Sequence, residues 1–300
     1  MKTSAKPKQK TSSKARATKS GKKETPKVVS LNAAQMRQFM ASMIDQANDG
    51  DTLSDAQDII YQAWDASSKK KRVELARKAL SVSSDCADAY VLLAQESAKT
   101  LQEKCDLFAE GVEAGERAIG SDDFEDFKGS FWGFLETRPY MRARLGLAEA
   151  LWEMGKEAEA IQHYCALLEL NPNDNQGVRF ILSSRYLHSG KDAELKKLLK
   201  SYHKDSSAAW LYTWALMAFR TKDKSAEEIA KKAWKYNQHV PAMLAGTKAL
   251  ASSDTGYMTM GGTDEATYYV EECGDVWRKT PKAVEWLLGV TKTLSAASQK

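Results

Sequence analysis

Residues 141–174 read MRARLGLAEALWEMGKEAEAIQHYCALLELNPND, and this 34-residue stretch decides the fold. Ala148 and Ala160 are small where two helices must approach closely, and Gly155 stands between them, where the chain needs a tight turn. Tyr164, Leu167 and Leu170 continue one apolar helical face. Pro172 has no amide hydrogen and so closes the second helix. The stretch is one helix–turn–helix unit.

Weaker copies flank it. Residues 207–240 carry Trp210, Ala226 and Ala233 at matching offsets, with Pro241 just beyond. Residues 175–206 keep Ile181, Leu182, Gly190 and Leu195, with one residue inserted near the turn. Upstream, residues 74–94 read as a second helix, a connector and a new first helix bearing Tyr90 and Ala94. Residues 107–120 are helical in pattern, whereas 121–139 form a long aromatic-rich interruption. The pattern predicts four or five helix pairs, one with an insertion, and non-repeat helices at both ends. Beyond residue 250 a glycine-containing loop leads to a helix from about Asp264 to Trp277, and Pro281 is expected at the first position of a final helix, after a threonine cap. Tyr268, Tyr269, Val270, Trp277, Val284, Trp286 and Leu287 are expected to seal the last repeat, which makes residues 263–297 capping helices. At the other end Ser30 reads as an N-cap, and Met36, Phe39, Met40, Met43 and Ile44 share one stripe. The fold class is therefore all-α, a right-handed solenoid of helix hairpins over residues 30–300.

Composition is that of an ordinary globular chain, 43% hydrophobic and 28% charged, so apolar side chains suffice for a core. Mean hydropathy is −0.52 and no long apolar run occurs, so no transmembrane helix is expected. The first thirty residues lack an apolar core segment and do not read as a secretory signal. The net charge of +4 hides an asymmetry: residues 1–28 hold nine Lys, Arg16 and Glu24, which is +9, leaving about −5 for the rest. Residues 1–29 have no aromatic, Leu or Ile and are expected to be a disordered basic tail.

The blocks DCADAYVLLAQ, LFAEGVEAGERAI and RPYMRARLGLAEALWEMGKEAEAIQHYCALLELNP carry a resemblance. The 34-residue unit resembles the tetratricopeptide repeat, and the order of blocks over roughly residues 80–250 is similar to the suppression-of-tumorigenicity protein 7 family. The resemblance implies a divergent tetratricopeptide array and an interaction role. It brings no enzymatic residues to carry over. Animal members have hydrophobic N-terminal segments that this sequence does not show, so the chain is expected to resemble the soluble relatives.

Catalytic and metal chemistry find little support. Cys86, Cys105, Cys165 and Cys273 stand far apart in apolar helical contexts, which points to reduced thiols, small hydrophobes in a cytoplasmic protein. His163 and Cys165 are two apart and face different sides of a helix, so no metal cluster forms. Gly261 and Gly262 lack the lysine–hydroxyl pair of a phosphate loop and read as a connector. Asp122, Asp123, Glu125 and Asp126 read as a solvated acidic loop or helix cap, and no serine sits in a nucleophile elbow. No cofactor, metal or enzymatic activity is expected.

The candidate site is a protein-binding groove. Positions two, five, nine and twelve of the first helix share a face that, in this repeat class, looks into the concave side. They are Arg142, Leu145, Glu149 and Trp152 in one unit and Gln176, Arg179, Ser183 and Tyr186 in the next. Arginines with aromatics and nearby polar groups suit a peptide, supplying planar donors and apolar anchors. The competing expectation is that the insertion, residues 129–139, fills this groove itself. Trp210 is expected in the core. The leading function is a non-catalytic scaffold, adaptor or co-chaperone that binds a protein segment. The alternative is a nucleic-acid-associated protein whose lysine-rich tail binds nonspecifically, with no aromatics for base stacking. No membrane insertion is expected.

Overall fold

The structure is a computed structural model that describes residues 52–250 and 258–298. These belong to a compact unit spanning Asp51–Lys300. The basic tail, the helix expected after Ser30 and part of the loop beyond residue 250 lie outside the described residues.

Fourteen α-helices and no strand occur among the described residues. The first ten main helices form five hairpins: α1 (Thr52–Asp65) with α2 (Lys69–Val82), α3 (Ala87–Glu96) with α4 (Leu101–Ile119), α6 (Arg138–Glu153) with α7 (Glu157–Leu170), α8 (Val178–His188) with α9 (Asp192–Ser201), and α10 (Ala208–Arg220) with α11 (Ala226–Tyr236). From the second hairpin on, the first helix also packs on the hairpin before it, so the array is a solenoid. The insertion holds the short α5 (Ser121–Asp126) and a single 3-10 turn at Phe131–Gly133. After α11 come α12 (Val240–Leu244), α13 (Thr263–Lys279) and α14 (Ala283–Ser298).

Local chemistry sets the ends. Ser68, Thr100 and Ser207 cap α2, α4 and α10, each accepting from the amide three residues on. Glu103 completes the Thr100 cap by accepting from the Lys99 amide at 2.8 Å. Gly155 takes the left-handed conformation that ends α6, as its place in the repeat demands. Ala148 and Ala160 are fully buried at the helix crossing. α4 and α6 cross closely: a Cβ on Gly146 would overlap the Phe108 ring, and one on Gly115 would come within 2.8 Å of Tyr140. Trp210 is wholly buried, with Phe180 and Tyr202 edge-on to its ring.

The insertion packs at the start of α6, not at its end. Phe124, Phe131 and Tyr140 form a cluster, and the Thr137 hydroxyl donates to the carbonyls of Phe131 and Phe134. The carboxylates of α5 are exposed. At the C-terminus the structure departs from expectation in two ways. Pro281 lies in a turn, and α14 starts at Ala283, after Lys282 in the left-handed region. Helix α13 does more than close the last hairpin: besides α12 it packs on α10 and α8, lying along the solenoid's inner face.

Candidate functional site: the concave face

α8 shows which way the inner face looks. Its Tyr186 is buried, with the hydroxyl 3.1 Å from the Cys165 sulfur of α7. The opposite side of α8 meets α13: Ser184 Oγ and Arg185 Nη1 each donate to Glu272 at 2.6 Å, and His188 Nε2 lies 3.1 Å from Asp275. Further along, buried Glu265 of α13 accepts from the Ala208 amide that opens α10, from Asn237 and from the Gly261 amide. Tyr269, Cys273 and Trp277 of α13 are buried, and the Trp277 indole donates to the Tyr269 hydroxyl at 2.8 Å. The connector glycines are thus tied into the turn before α13, and the inner face of α8 and α10 is covered by the chain itself.

A cleft of about 230 Å³ remains between α6, α8, α10 and α13. Glu149, Ser183, Arg185, Tyr268 and Glu272 are among its walls. The Arg185 guanidinium lies over the Trp152 ring, 4.8 Å from its centre. Behind it, Tyr164 of α7 is buried with its hydroxyl toward the Arg185 side chain. Burial pushes the Tyr164 phenol up to about 12. Glu149 stands at the mouth with much of its side chain in solvent, yet crowding by the cleft walls raises its carboxyl above the usual range.

The eight groove residues fall into separate settings. Glu149 and Ser183 line the cleft, and Trp152 borders it through Arg185. Leu145 is half-buried against the core. Arg142 turns to the preceding hairpin, where its guanidinium donates to fully buried Asp88 at 2.7 and 2.6 Å and lies over Trp64. Gln57 adds a third donor to Asp88 at 3.0 Å. A carboxylate without water needs that cation, so Arg142 is a structural ion-pair partner. Arg179 is likewise held by Asp174 and Asp205 and stacks on Phe180 and Tyr202. Gln176 donates to the Met141 carbonyl at 3.3 Å, and Tyr186 faces α7. The insertion is not what covers Trp152; Arg185 does.

The reason for the split is helical register. Asp174 adopts the left-handed conformation, and its carboxylate accepts from the Val178 and Arg179 amides, which delays the start of α8 to Val178. α6, by contrast, begins at Arg138, ahead of the repeat frame. One residue of offset turns a helical face by about 100°. Ile181, Ser184, Arg185 and His188 therefore look inward from α8. No motif signals Arg185 or the α13 residues that meet it. The thiols also differ from expectation in one case: Cys86, Cys105 and Cys273 are buried, but Cys165 is exposed. No group of three or more His, Cys, Asp or Glu among the described residues could hold a metal.

These features define a class: an all-α solenoid of tetratricopeptide-like hairpins whose inner face is partly covered by its own helix α13. The chain belongs to the ST7 family, whose description is ST7 protein and which matches residues 15–293. Among curated relatives, the suppressor of tumorigenicity 7 protein-like of Bos taurus is 27% identical over 73% of this chain and 44% of its own length. The Drosophila melanogaster protein ST7 homolog is 25% identical over 73% of this chain and 46% of its own. The Mus musculus suppressor of tumorigenicity 7 protein-like is 26% identical over 80% of this chain and 46% of its own. The chain thus spans less than half the length of these curated relatives. A solved structure, YrrB, described as a TPR protein with an unusual peptide-binding site, is similar at 19% identity and TM-score 0.45, over 64% of this chain and 90% of that one. No helix among the described residues is long and apolar enough to cross a membrane.

Proposed function

We propose that the chain is a non-catalytic protein-interaction module, working in the cytoplasm, that docks a protein segment on its inner face beside α13. The observation that carries this is the cleft itself: Arg185, stacked on Trp152, and the exposed Tyr268 ring share one concave place. Flat rings give apolar area at low rotamer entropy, and a guanidinium offers planar donors to a ligand acceptor. Arg142, Arg179 and Tyr186 position the helices, while Trp152, Arg185 and Tyr268 meet the ligand.

Affinity capture with the full chain, followed by mass spectrometry, identifies partners. Trp152→Ala weakens capture of such a partner by on the order of 2 kcal/mol, as loss of an anchor does. It lowers stability far less than Trp210→Ala, which costs about 3 kcal/mol or more by leaving a cavity. Capture unchanged in a Trp152→Ala/Arg185→Ala double variant removes this cleft as the docking site. The lysine-rich tail favours a second reading, nonspecific nucleic-acid binding. Deletion of residues 1–28 abolishes that binding and leaves protein capture intact.

A further inference from the structure

A second cleft, about 260 Å³, lies near the start of α6, away from Trp152. Tyr61 of α1, Ala118 of α4, Leu135 of the insertion and Pro139 of α6 form its apolar lining. Leu135 is 70% exposed and Tyr61 52%. The exposure of Leu135 is not looseness. Phe131 and Thr137 on either side are fully buried, Phe134 stacks on Phe127 at 3.9 Å, and the Thr137 hydroxyl bonds two carbonyls of the same loop. The loop is pinned by its neighbours and holds Leu135 out beside the exposed Tyr61, so the two form one apolar patch in the cleft.

Charge says what. Residues 101–136 carry ten carboxylates against three cationic side chains. Asp58, Asp85 and Glu136 sit on the rim of the cleft, and only Asp85 of these has an ion-pair partner among the described residues, Arg117 at 2.8 Å. The exposed Glu113, Glu116, Asp122, Asp123, Glu125 and Asp126 extend the field along α4 and α5. An apolar slot within such a field attracts cations over the surface and repels acidic segments.

We propose that this cleft docks a basic protein segment, one apolar side chain seated against Tyr61 and Leu135 and flanking Lys or Arg residues along the acidic rim. The surface is separate from the Trp152 cleft and stands whether or not that cleft binds. Rigid presentation of Leu135 favours such docking because little order is lost on binding.

The test uses the full chain and a fluorescent synthetic peptide with a leucine pair between lysine flanks. Two control peptides replace the leucines by serine or the lysines by glutamate. The first peptide is expected to bind, and both controls to bind at least about tenfold more weakly, the factor that 1.4 kcal/mol represents. Leu135→Ser and Glu136→Lys each weaken binding about tenfold, and added salt weakens it further. Both positions are exposed, and circular dichroism checks that the variants stay folded. Glu169→Lys, an exposed reversal on α7, leaves binding unchanged. Equal binding of the serine control, or equal loss in Glu169→Lys, shows only diffuse charge attraction and overturns the proposal. Absence of binding overturns it as well. If light scattering shows that the chain self-associates and Leu135→Ser dissolves the assembly, the occupant is a second copy, which also overturns it.

Discussion

Around α8 and α10 the inner face carries a full helix, α13, which buries Tyr269, Cys273 and Trp277; around α1, α3 and α6 the corresponding cluster is Trp64, Arg142 and Asp88, with Trp64 45% exposed. The two ends hold together by different means. The first gains from the removal of large apolar area from water. The second adds, to a smaller apolar cluster around Ile60 and Leu92, one buried carboxylate held by Arg142 and Gln57 across three helices. The difference teaches that concavity in a hairpin array does not by itself make an open groove. What stays open depends on which helices of the same chain turn inward.

Four single substitutions and one double variant break or sharpen this contrast. Trp277→Ala should be the most damaging, because a wholly buried indole leaves a cavity costing about 3–5 kcal/mol, or roughly 10 °C in thermal midpoint. Trp64→Ala should stay within about 1 kcal/mol. Thermal melts that rank these two the other way would show that α13 is a detachable cover rather than part of the core.

Arg142→Ala should come next, at about 2–3 kcal/mol in urea unfolding, because Asp88 is then buried with only Gln57 as a side-chain donor. A double variant, Asp88→Leu with Arg142→Leu, should recover most of that loss, since it removes the buried charge as well. Failure to recover would mean that shape rather than charge holds α1, α3 and α6 together.

The smallest effect belongs to Glu149→Gln. Desolvation raises the Glu149 carboxyl in the folded chain, so its ionised form is disfavoured relative to the unfolded chain. The cost is present above the folded-state value and vanishes below the ordinary carboxylate range. Glu149→Gln should therefore stabilise slightly at neutral pH, by less than about 0.5 kcal/mol given its solvent exposure, and not at all near pH 3. A stabilisation that persists unchanged in acid would show that the gain comes from packing.

By itself the sequence determined the hairpins. Ala148, Gly155, Ala160 and Pro172 act within a few residues of where they stand, through close helix approach, a left-handed turn and a missing amide hydrogen, so their meaning is local and legible. Trp210 was legible for the same reason. The inner face was only half legible, because it depends on register. On α6 the repeat frame brings Glu149 to the cleft and Trp152 to its edge, but on α8 the Asp174 turn shifts the helix start and hides Tyr186. Tertiary structure alone decided the rest: that Arg142 pairs with Asp88, 54 residues away, that Glu272 takes Arg185, and that α13 lies across α8 and α10. These outcomes follow from burial of charge and apolar area between distant segments, and no local pattern encodes where such segments meet.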